Sequence, residues 1–480
     1  MLALITNLGY STLFTALVAV LAWLLFELTS MLYFARFHTL SKIPGPWFPA
    51  SSSLWIRWQR WHGRLSFVVD DLLTRYGPIV RISPKMILLN DGPSVQAIFA
   101  RQELDTAPTA IRALRIGGHE WTVTYPQTNI ARQRRRPVMV ATTNKAMKYW
   151  RPVFEDNIAK MVQDLGQSRG ESAEDIVYHL RVATFRNSEV VMAGSQANVS
   201  TDGFPHTVGE YNFLVWLGFG PFTGPRSRVR SSKKLYQLGE DVCQQADLAD
   251  PSDPDGTPSV YKLLMDQREK GVNWTHSEIS AEMAGQILAA TETTSSALAF
   301  IFYELAKNQS LLDNVSRELA GMSDAALDDA KLLDACVTEG LRFRPPVALT
   351  GSRVVPKGGI DVLGYFIPEG TIITTQSLSM SRQRPDLFPN FNVFDPTRWL
   401  DEDRLQERRK LSAPFGLGSR RCPGGNMALY QMRLILAAVI RRFNIEVGPQ
   451  TTPESMIPFE ANGFRSRYDK CELVFKPRDV

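Results

Sequence analysis

The residues of this chain best placed to do chemistry are Phe415-Gly416-Leu417-Gly418-Ser419-Arg420-Arg421-Cys422-Pro423-Gly424. A single cysteine lies in a glycine-bent loop, directly ahead of an apolar run from about Asn426 to Phe443. That run is apolar nearly all round and predicts a buried helix. Pro423 suits a first helical turn, where a missing N–H costs nothing. Cys422 then stands at a helix N-terminus, whose free N–H groups and dipole favour a thiolate. Arg420 and Arg421 add positive charge, and Gly416, Gly418 and Gly424 let the backbone pass close to something bulky and flat. A thiolate made in this way serves as a nucleophile or a metal ligand.

Other uses of the loop fit less well. A phosphate loop needs Gly-Lys-Ser/Thr after its glycines, and a dinucleotide loop needs G-x-G-x-x-G, where this chain has Arg421 as the last residue. A thiol hydrolase needs a histidine partner, but His38, His62, His119, His179, His206 and His276 all lie far upstream with no supporting signature. A zinc site needs several sulfur or imidazole ligands, and Cys243, Cys336 and Cys471 stand alone. A buried inert cysteine accounts for neither the glycines nor Arg420.

Two further groups of residues carry chemistry or fix it in place. A long helix is predicted from about Ser277 to Lys307, with Ala289-Ala290-Thr291-Glu292-Thr293-Thr294-Ser295-Ser296 at its middle. Small and hydroxyl side chains there loosen the helix and let something approach, and Glu292 beside Thr293 supplies the parts of a short proton relay. A helix with a polar face accounts for the segment equally well when it is taken alone. Glu339 and Arg342 are three apart on one helix face. Arg398, in Phe394-Asp395-Pro396-Thr397-Arg398-Trp399, offers a second arginine, and one carboxylate held by two arginines is a structural lock.

The elements that must position these residues are mostly helical. Helical patterns run from Tyr149 to Leu165 and from Ala325 to Phe343, with strand-like pieces near Ile79 to Leu89 and Gly358 to Ile373. The expected fold is mainly α with small β-sheets. With 480 residues the chain has room for roughly three domains or one large one. Asp250 to Gly256 reads as an exposed loop with helices continuing on both sides. Four scattered cysteines make no disulfide framework, and a net charge of +5 is too weak to imply nucleic acid. Met1 to Phe26 carries no charge and, continued past Glu27 to Phe34, is long enough to span a bilayer. Arg36 and Lys42 follow the span and orient the remainder to the cytosol, after a hinge at Lys42-Ile43-Pro44-Gly45-Pro46-Trp47. The expected division is an anchor at 1–35, a proline-containing hinge at 36–46 and a catalytic domain at 47–480.

Taken together, the sequence resembles the cytochrome P450 family of haem-thiolate monooxygenases. Phe415, Gly418, Arg420, Cys422 and Gly424 match F-x-x-G-x-R-x-C-x-G, and the central helix is similar to the family's A-G-x-[DE]-T-[TS] segment. Glu339, Arg342 and Arg398 match its E-x-x-R helix and meander arginine, all in the family's order and over essentially the whole chain. The resemblance implies a single large haem domain behind an N-terminal transmembrane helix, with iron protoporphyrin IX on the axial thiolate of Cys422. It implies propionate contacts from Arg420, from Arg134 in the Ala131–Arg136 run and from Arg353, and proton delivery to bound dioxygen by Glu292 and Thr293. The basic run then serves haem and electron donor, not nucleic acid. Electrons would come from a separate NADPH-cytochrome P450 reductase, because the chain has no flavin or nicotinamide segment of its own.

Ala290 departs from the pattern by replacing a groove glycine, and Ile130 stands where the family often has His or Trp. The style resembles fungal microsomal members, which implies an endoplasmic reticulum location with a single span and a cytosolic catalytic domain. The implied substrate is a hydrophobic small molecule such as a terpenoid, polyketide or alkaloid. The stretches near Thr106 to Thr124, Phe204 to Arg226 and after Pro346 would grip it. Phe213, Leu214, Trp216, Leu217, Phe219 and Phe222 make an apolar group that suits an entry channel, a membrane contact or a plain core helix. The alternatives are a haem-thiolate isomerase or dehydratase needing no O2, or a non-catalytic haem-binding membrane protein. A cytosolic body requires the sequons at Asn198, Asn273, Asn308 and Asn314 to stay bare.

Overall fold

The computed structural model describes residues 2–111, 114–194, 233–248, 258–461 and 463–478. The Phe204 to Arg226 stretch with its apolar group, the Asp250 to Gly256 loop and Asn198 lie outside the described residues. The helices that position the site are α1 (Leu2–Leu32), α2 (Thr128–Ala141), α3 (Asn144–Leu165), α4 (Ile176–Ala193), α5 (Lys233–Leu248), α6 (His276–Lys307), α7 (Lys331–Phe343) and α8 (Gly425–Arg442).

Helix α6 crosses the centre of the molecule over about 48 Å, at 1.5 Å per residue. Its start is set by a capping box: the Thr275 hydroxyl accepts the Glu278 N–H at 3.2 Å, and the Glu278 carboxylate accepts the Thr275 N–H at 3.0 Å. Apolar on most faces, it is buried along most of its length against α4 and α5. Gly239 of α5 lies against the Ser280 carbonyl and Gly285 lies under the Trp121 ring, so neither position has room for a Cβ.

Two element boundaries differ from the sequence reading. The Ala325 to Phe343 pattern breaks at Ala330 into a 3-10 turn, Asp324–Asp329, and α7. The Glu318 carboxylate accepts the Leu332 and Leu333 N–H groups at 2.8 and 2.9 Å, so a distant side chain starts α7 there. Pro423 lies ahead of Gly424, the N-cap of α8, and not in the first turn. Its carbonyl is held by the Thr142 hydroxyl at 2.9 Å.

The largest sheet has β1 (Ile79–Ser83), β2 (Met86–Leu89), β3 (Leu349–Val354) and β4 (Ile372–Gln376) in the order β1-β2-β4-β3. Pairs β1/β2 and β3/β4 are antiparallel and β2/β4 is parallel. Ile79, Ile87, Leu89 and Ile373 form a second core with Ile98 and Phe99, apart from the main helical one. Three smaller sheets complete a mainly α fold.

The N-terminal helix is a candidate membrane anchor: Leu17–Phe37 is long and apolar enough to cross a bilayer, and none of that window is buried against the rest of the protein. Its exit is fastened to the sheet. The fully buried Arg81 of β1 donates to the carbonyls of Phe34 at 2.7 Å and Pro84 at 2.8 Å, and its N–H donates to Pro44 at 2.8 Å. Desolvation lowers its pKa to about 10, which leaves the guanidinium charged at neutral pH.

The Glu339 carboxylate, fully buried on α7, accepts Arg342 Nε and Nη2 at 2.7 Å each, Arg398 Nε at 3.1 Å, Trp399 Nε1 at 2.9 Å and the Asp395 N–H at 3.0 Å. Arg342 also donates to the Phe391 carbonyl at 2.9 Å and Arg398 to the Pro389 carbonyl at 3.1 Å. Removing the carboxylate leaves two buried guanidinium groups uncompensated. Glu339→Ala is expected to cost about 3–5 kcal/mol, read as a fall in the denaturant midpoint or as failure to accumulate folded protein.

Candidate active site

The cysteine loop is closed by the Cys422 N–H, which donates to the Phe415 carbonyl at 2.7 Å. Gly416 at φ +73° and Gly418 at φ +64° take left-handed backbone, and a Cβ on Gly418 would run into the Phe99 carbonyl and Ala100. Phe415 packs toward Gly425, while a Cβ on Gly424 would meet open space. Cys422 is exposed, yet desolvation by surrounding protein is the leading cause raising its thiol pKa. The thiol is therefore reachable from outside the protein while much of its surroundings is protein. The Gly424 N–H, Arg135 and Arg421 oppose the rise without overcoming it. Enclosure thus acts against the charge-favouring surroundings that the sequence reading emphasised at this helix terminus. A bound cation would deprotonate the thiol outright.

Three guanidinium groups gather around this loop. Arg420 donates to Thr128 Oγ1 at 3.2 Å and to the carbonyls of Tyr125 at 3.0 Å and Pro126 at 2.6 Å. Arg353, buried on β3, stacks over the Phe99 ring at 5.7 Å, and Arg135 donates to the Ser419 carbonyl. Burial leads in lowering all three pKa values, to about 10 for Arg353 and Arg420, with mutual repulsion adding to it at Arg353 and Arg420. Asp105 offsets Arg420 only in part, and none of the three forms a salt bridge among the described residues. Buried cations without counter-ions call for an anion.

The structure places Arg134, the residue expected at this position, elsewhere. Its guanidinium lies 4.0 Å from the Trp274 ring centre and 4.4 Å from that of Tyr125, pairs with Glu278 at 3.3 Å and donates to the Asn273 carbonyl at 2.7 Å. One residue is about 100° of helix, so Arg135 and Arg134 leave α2 in different directions. Ala131, four before Arg135, accordingly takes the place assigned to Ile130.

On α6, Ala289, Ala290 and Thr293 keep partial exposure where the helix is otherwise mostly buried, and their spacing puts them on one face. The Thr293 hydroxyl donates to the Ala289 carbonyl at 2.8 Å. The neighbouring Glu292 points to α4, where Arg181 donates to its carboxylate at 2.7 and 3.1 Å. The same guanidinium donates to Asp469 at 3.0 and 2.8 Å. Two acids hold Arg181 charged, its pKa raised although desolvation acts against it. Nothing near positions 181 or 469 in the sequence announces this network, and Arg135 was hidden within a run of three arginines, Arg134 to Arg136.

The cysteine loop thus presents an accessible thiol with three guanidinium groups gathered near it that have no ion-pair partner among the described residues. This donor set fits haem, a flat dianionic group with an iron that takes a sulfur ligand. The family model described as Cytochrome P450 matches residues 226–471. The chain belongs to the cytochrome P450 family. It is 26% identical over 495 residues to the cytochrome P450 monooxygenase cypX of Dothistroma septosporum, with 96% of each chain covered. It is 26% identical to the cytochrome P450 monooxygenase aflV of Aspergillus parasiticus, with 92% of each covered. It is 25% identical to an averantin hydroxylase of Dothistroma septosporum, with 94% of this chain and 89% of the relative covered. This P450 is thus an oxidoreductase that carries haem on a cysteine thiolate and uses O2 and a redox partner on small molecules.

The two neighbouring arginines are separable by substitution. Arg135→Leu is expected to lower haem content per folded protein several-fold, with circular dichroism unchanged. Arg134→Leu is expected to keep haem content and to cost about 1–3 kcal/mol through the broken Glu278 and Trp274 contacts. Haem content is read by pyridine haemochromogen absorbance.

Proposed function

We propose that this cytochrome P450 is a membrane-anchored monooxygenase that inserts one oxygen atom of O2 into a hydrophobic small molecule of fungal secondary metabolism, such as a terpenoid, polyketide or alkaloid. The observation that carries the reading is the accessible thiol of Cys422 with Arg135, Arg353 and Arg420 gathered near it, without an ion-pair partner among the described residues. Fungal relatives named as monooxygenases and a hydroxylase support the substrate class. When bound, haem supplies the iron at which dioxygen is reduced and one of its atoms passes to substrate.

The protein residues have separate tasks in this reading. Cys422 holds the iron, with Phe415, Gly418 and Gly424 shaping its loop, and Arg420, Arg353 and Arg135 hold the propionates. Thr293 is the proximate proton donor, its hydroxyl turning from the Ala289 carbonyl toward the haem site. Glu292 is the relay toward solvent, its carboxylate aimed by Arg181 so that it cannot swing into the haem site while both of its bonds persist. Glu339, Arg342 and Arg398 keep the meander beneath the cysteine loop in place.

We read 1–35 as the anchor, 36–46 as the hinge and 47–480 as the haem domain, on the endoplasmic reticulum and facing the cytosol. The electron donor is NADPH-cytochrome P450 reductase. Exposed Arg132, Arg136, Lys145, Lys148 and Arg421, on α2, α3 and the cysteine loop, suit an acidic docking surface.

Reduced protein with carbon monoxide is expected to show a thiolate-type Soret shift that Cys422→Ser abolishes; haem without that shift would refute the ligand. Thr293→Ala is expected to retain haem but lower product per NADPH by roughly tenfold, the electrons appearing as hydrogen peroxide. NADPH-dependent O2 uptake with reductase separates this reading from an isomerase or a non-catalytic haem protein, neither of which would show it. Asn273, Asn308 and Asn314 are all exposed, so a cytosolic body is expected to carry no endoglycosidase-sensitive glycan on them.

A further inference from the structure

The hydroxyl of Thr293 is bonded only within its own helix, to the Ala289 carbonyl. Its position relative to the cysteine loop therefore depends on how α6 is set in rotation and height against α8, the helix that follows Cys422. Apolar packing fixes the spacing of two helices more firmly than their rotation, because Leu, Ile and Ala side chains can re-seat at small cost. Polar contacts discriminate more sharply, since a buried donor or acceptor that slips out of reach costs about 1–3 kcal/mol. Among the described residues, such contacts leave the middle of α6 at four points, one of them the Ser296 hydroxyl, which donates to the Phe464 carbonyl in the C-terminal part of the chain. Glu292 reaches Arg181 on α4, and the Thr291 carbonyl accepts weakly from Thr184 on the same helix, at 3.5 Å. Thr294 reaches α8: the Gln431 carboxamide donates to its Oγ1 at 3.3 Å.

Gln431 lies on α8, nine residues after Cys422, and both it and Thr294 are fully buried. Its carboxamide oxygen accepts Asn187 Nδ2 of α4 at 3.4 Å, and the Asn187 carbonyl accepts Asn157 Nδ2 of α3 at 3.1 Å. The result is a one-directional ladder, Asn157 to Asn187 to Gln431 to Thr294, through four helices. Every member is neutral and at most 8% exposed. Each rung joins two different helices, so a shift of α6 against α8 stretches the last one, whichever partner donates.

We propose that Gln431 is a positioning residue for oxygen activation, holding Thr294 so that the adjacent Thr293 hydroxyl stays at a fixed place relative to α8 and the cysteine loop ahead of it. Gln431 touches neither substrate nor cofactor and acts through Thr294. The proposal rests on the monooxygenase reading above and deepens it.

The test compares Gln431→Leu, Thr294→Val, their double variant and Gln431→Glu in the full chain with its reductase. Ile158→Ala serves as a control that loosens the α3 core without touching the ladder. Two quantities are read: product formed per NADPH, and amide hydrogen exchange of residues 289–296. Gln431→Leu is expected to keep the carbon monoxide spectrum, to lower coupling at least about threefold and to speed exchange in that segment about tenfold. The double variant should be no worse than Gln431→Leu alone, because both remove the same rung. Gln431→Glu should restore coupling, since burial among neutral groups keeps the acid protonated, its carbonyl accepting from Asn187 and its hydroxyl donating to Thr294. Unchanged exchange in 289–296, coupling loss equal to that of Ile158→Ala at matched stability, or no rescue by Gln431→Glu would each overturn the proposal. Wild-type protein that binds haem but takes up no O2 would instead overturn the monooxygenase reading, with the exchange measurement still deciding whether the rung holds α6.

Discussion

Buried positive charge without a protein counter-ion is the constraint around which this molecule is arranged. Arg135, Arg353 and Arg420 come from a helix, a strand and a loop far apart in the chain, and each is costly to desolvate. Carbonyls of Tyr125, Pro126 and Ser419 and the Phe99 ring offset part of that cost, and in the proposed reading the propionates of haem would offset the rest. The fold must therefore hold the cations against their mutual repulsion before haem arrives. That explains the density of fixed structure nearby: a sheet strand under Arg353, a capped turn under Arg420, and the Glu339 lock behind the meander. Stability is invested where the site would otherwise push itself apart.

The middle of α6 follows a different principle. Here α6 offers alanines and a threonine, so that space is left for oxygen and substrate, and the one strong charge is turned away. Arg181 gathers Glu292 and Asp469 into one network, joining the middle of α6 to the C-terminal hairpin region. A carboxylate pinned in this way has its direction set by tertiary structure. Acid and hydroxyl are adjacent in sequence yet face different partners, Arg181 for Glu292 and the Ala289 carbonyl for Thr293.

The anchor is coupled to the same scaffold. Arg81 binds the carbonyl of Phe34 at the end of the apolar helix and, through its own N–H, the carbonyl of Pro44. The strand carrying Arg81 belongs to the sheet that also carries Arg353. The candidate membrane helix is thus tied through Arg81 to the sheet that bears Arg353, and a buried guanidinium holds the segment between them.

Much of this was legible in the amino-acid order because it depends on local periodicity and on short-range chemistry. The apolar anchor, the long central helix, the cysteine loop with its obligatory glycines, and the pairing of Glu339 with Arg342 all follow from residues a few positions apart. Side-chain direction across elements did not follow. Which of Arg134 and Arg135 faces the cysteine loop is a question of helical phase, decided by Trp274, Tyr125 and Glu278 capturing Arg134. The enclosure of the Cys422 thiol, which raises its pKa against the pull of Arg135, Arg421 and the Gly424 N–H, comes from the whole protein and is not visible in the loop's own residues. Arg181 and Gln431 carried no signal at all, since their partners lie more than a hundred residues away. The sequence by itself determined which chemical groups are present and which helices bear them. Only the tertiary structure decided which groups meet, because burial and counter-charge are properties of the assembled core and not of any one segment.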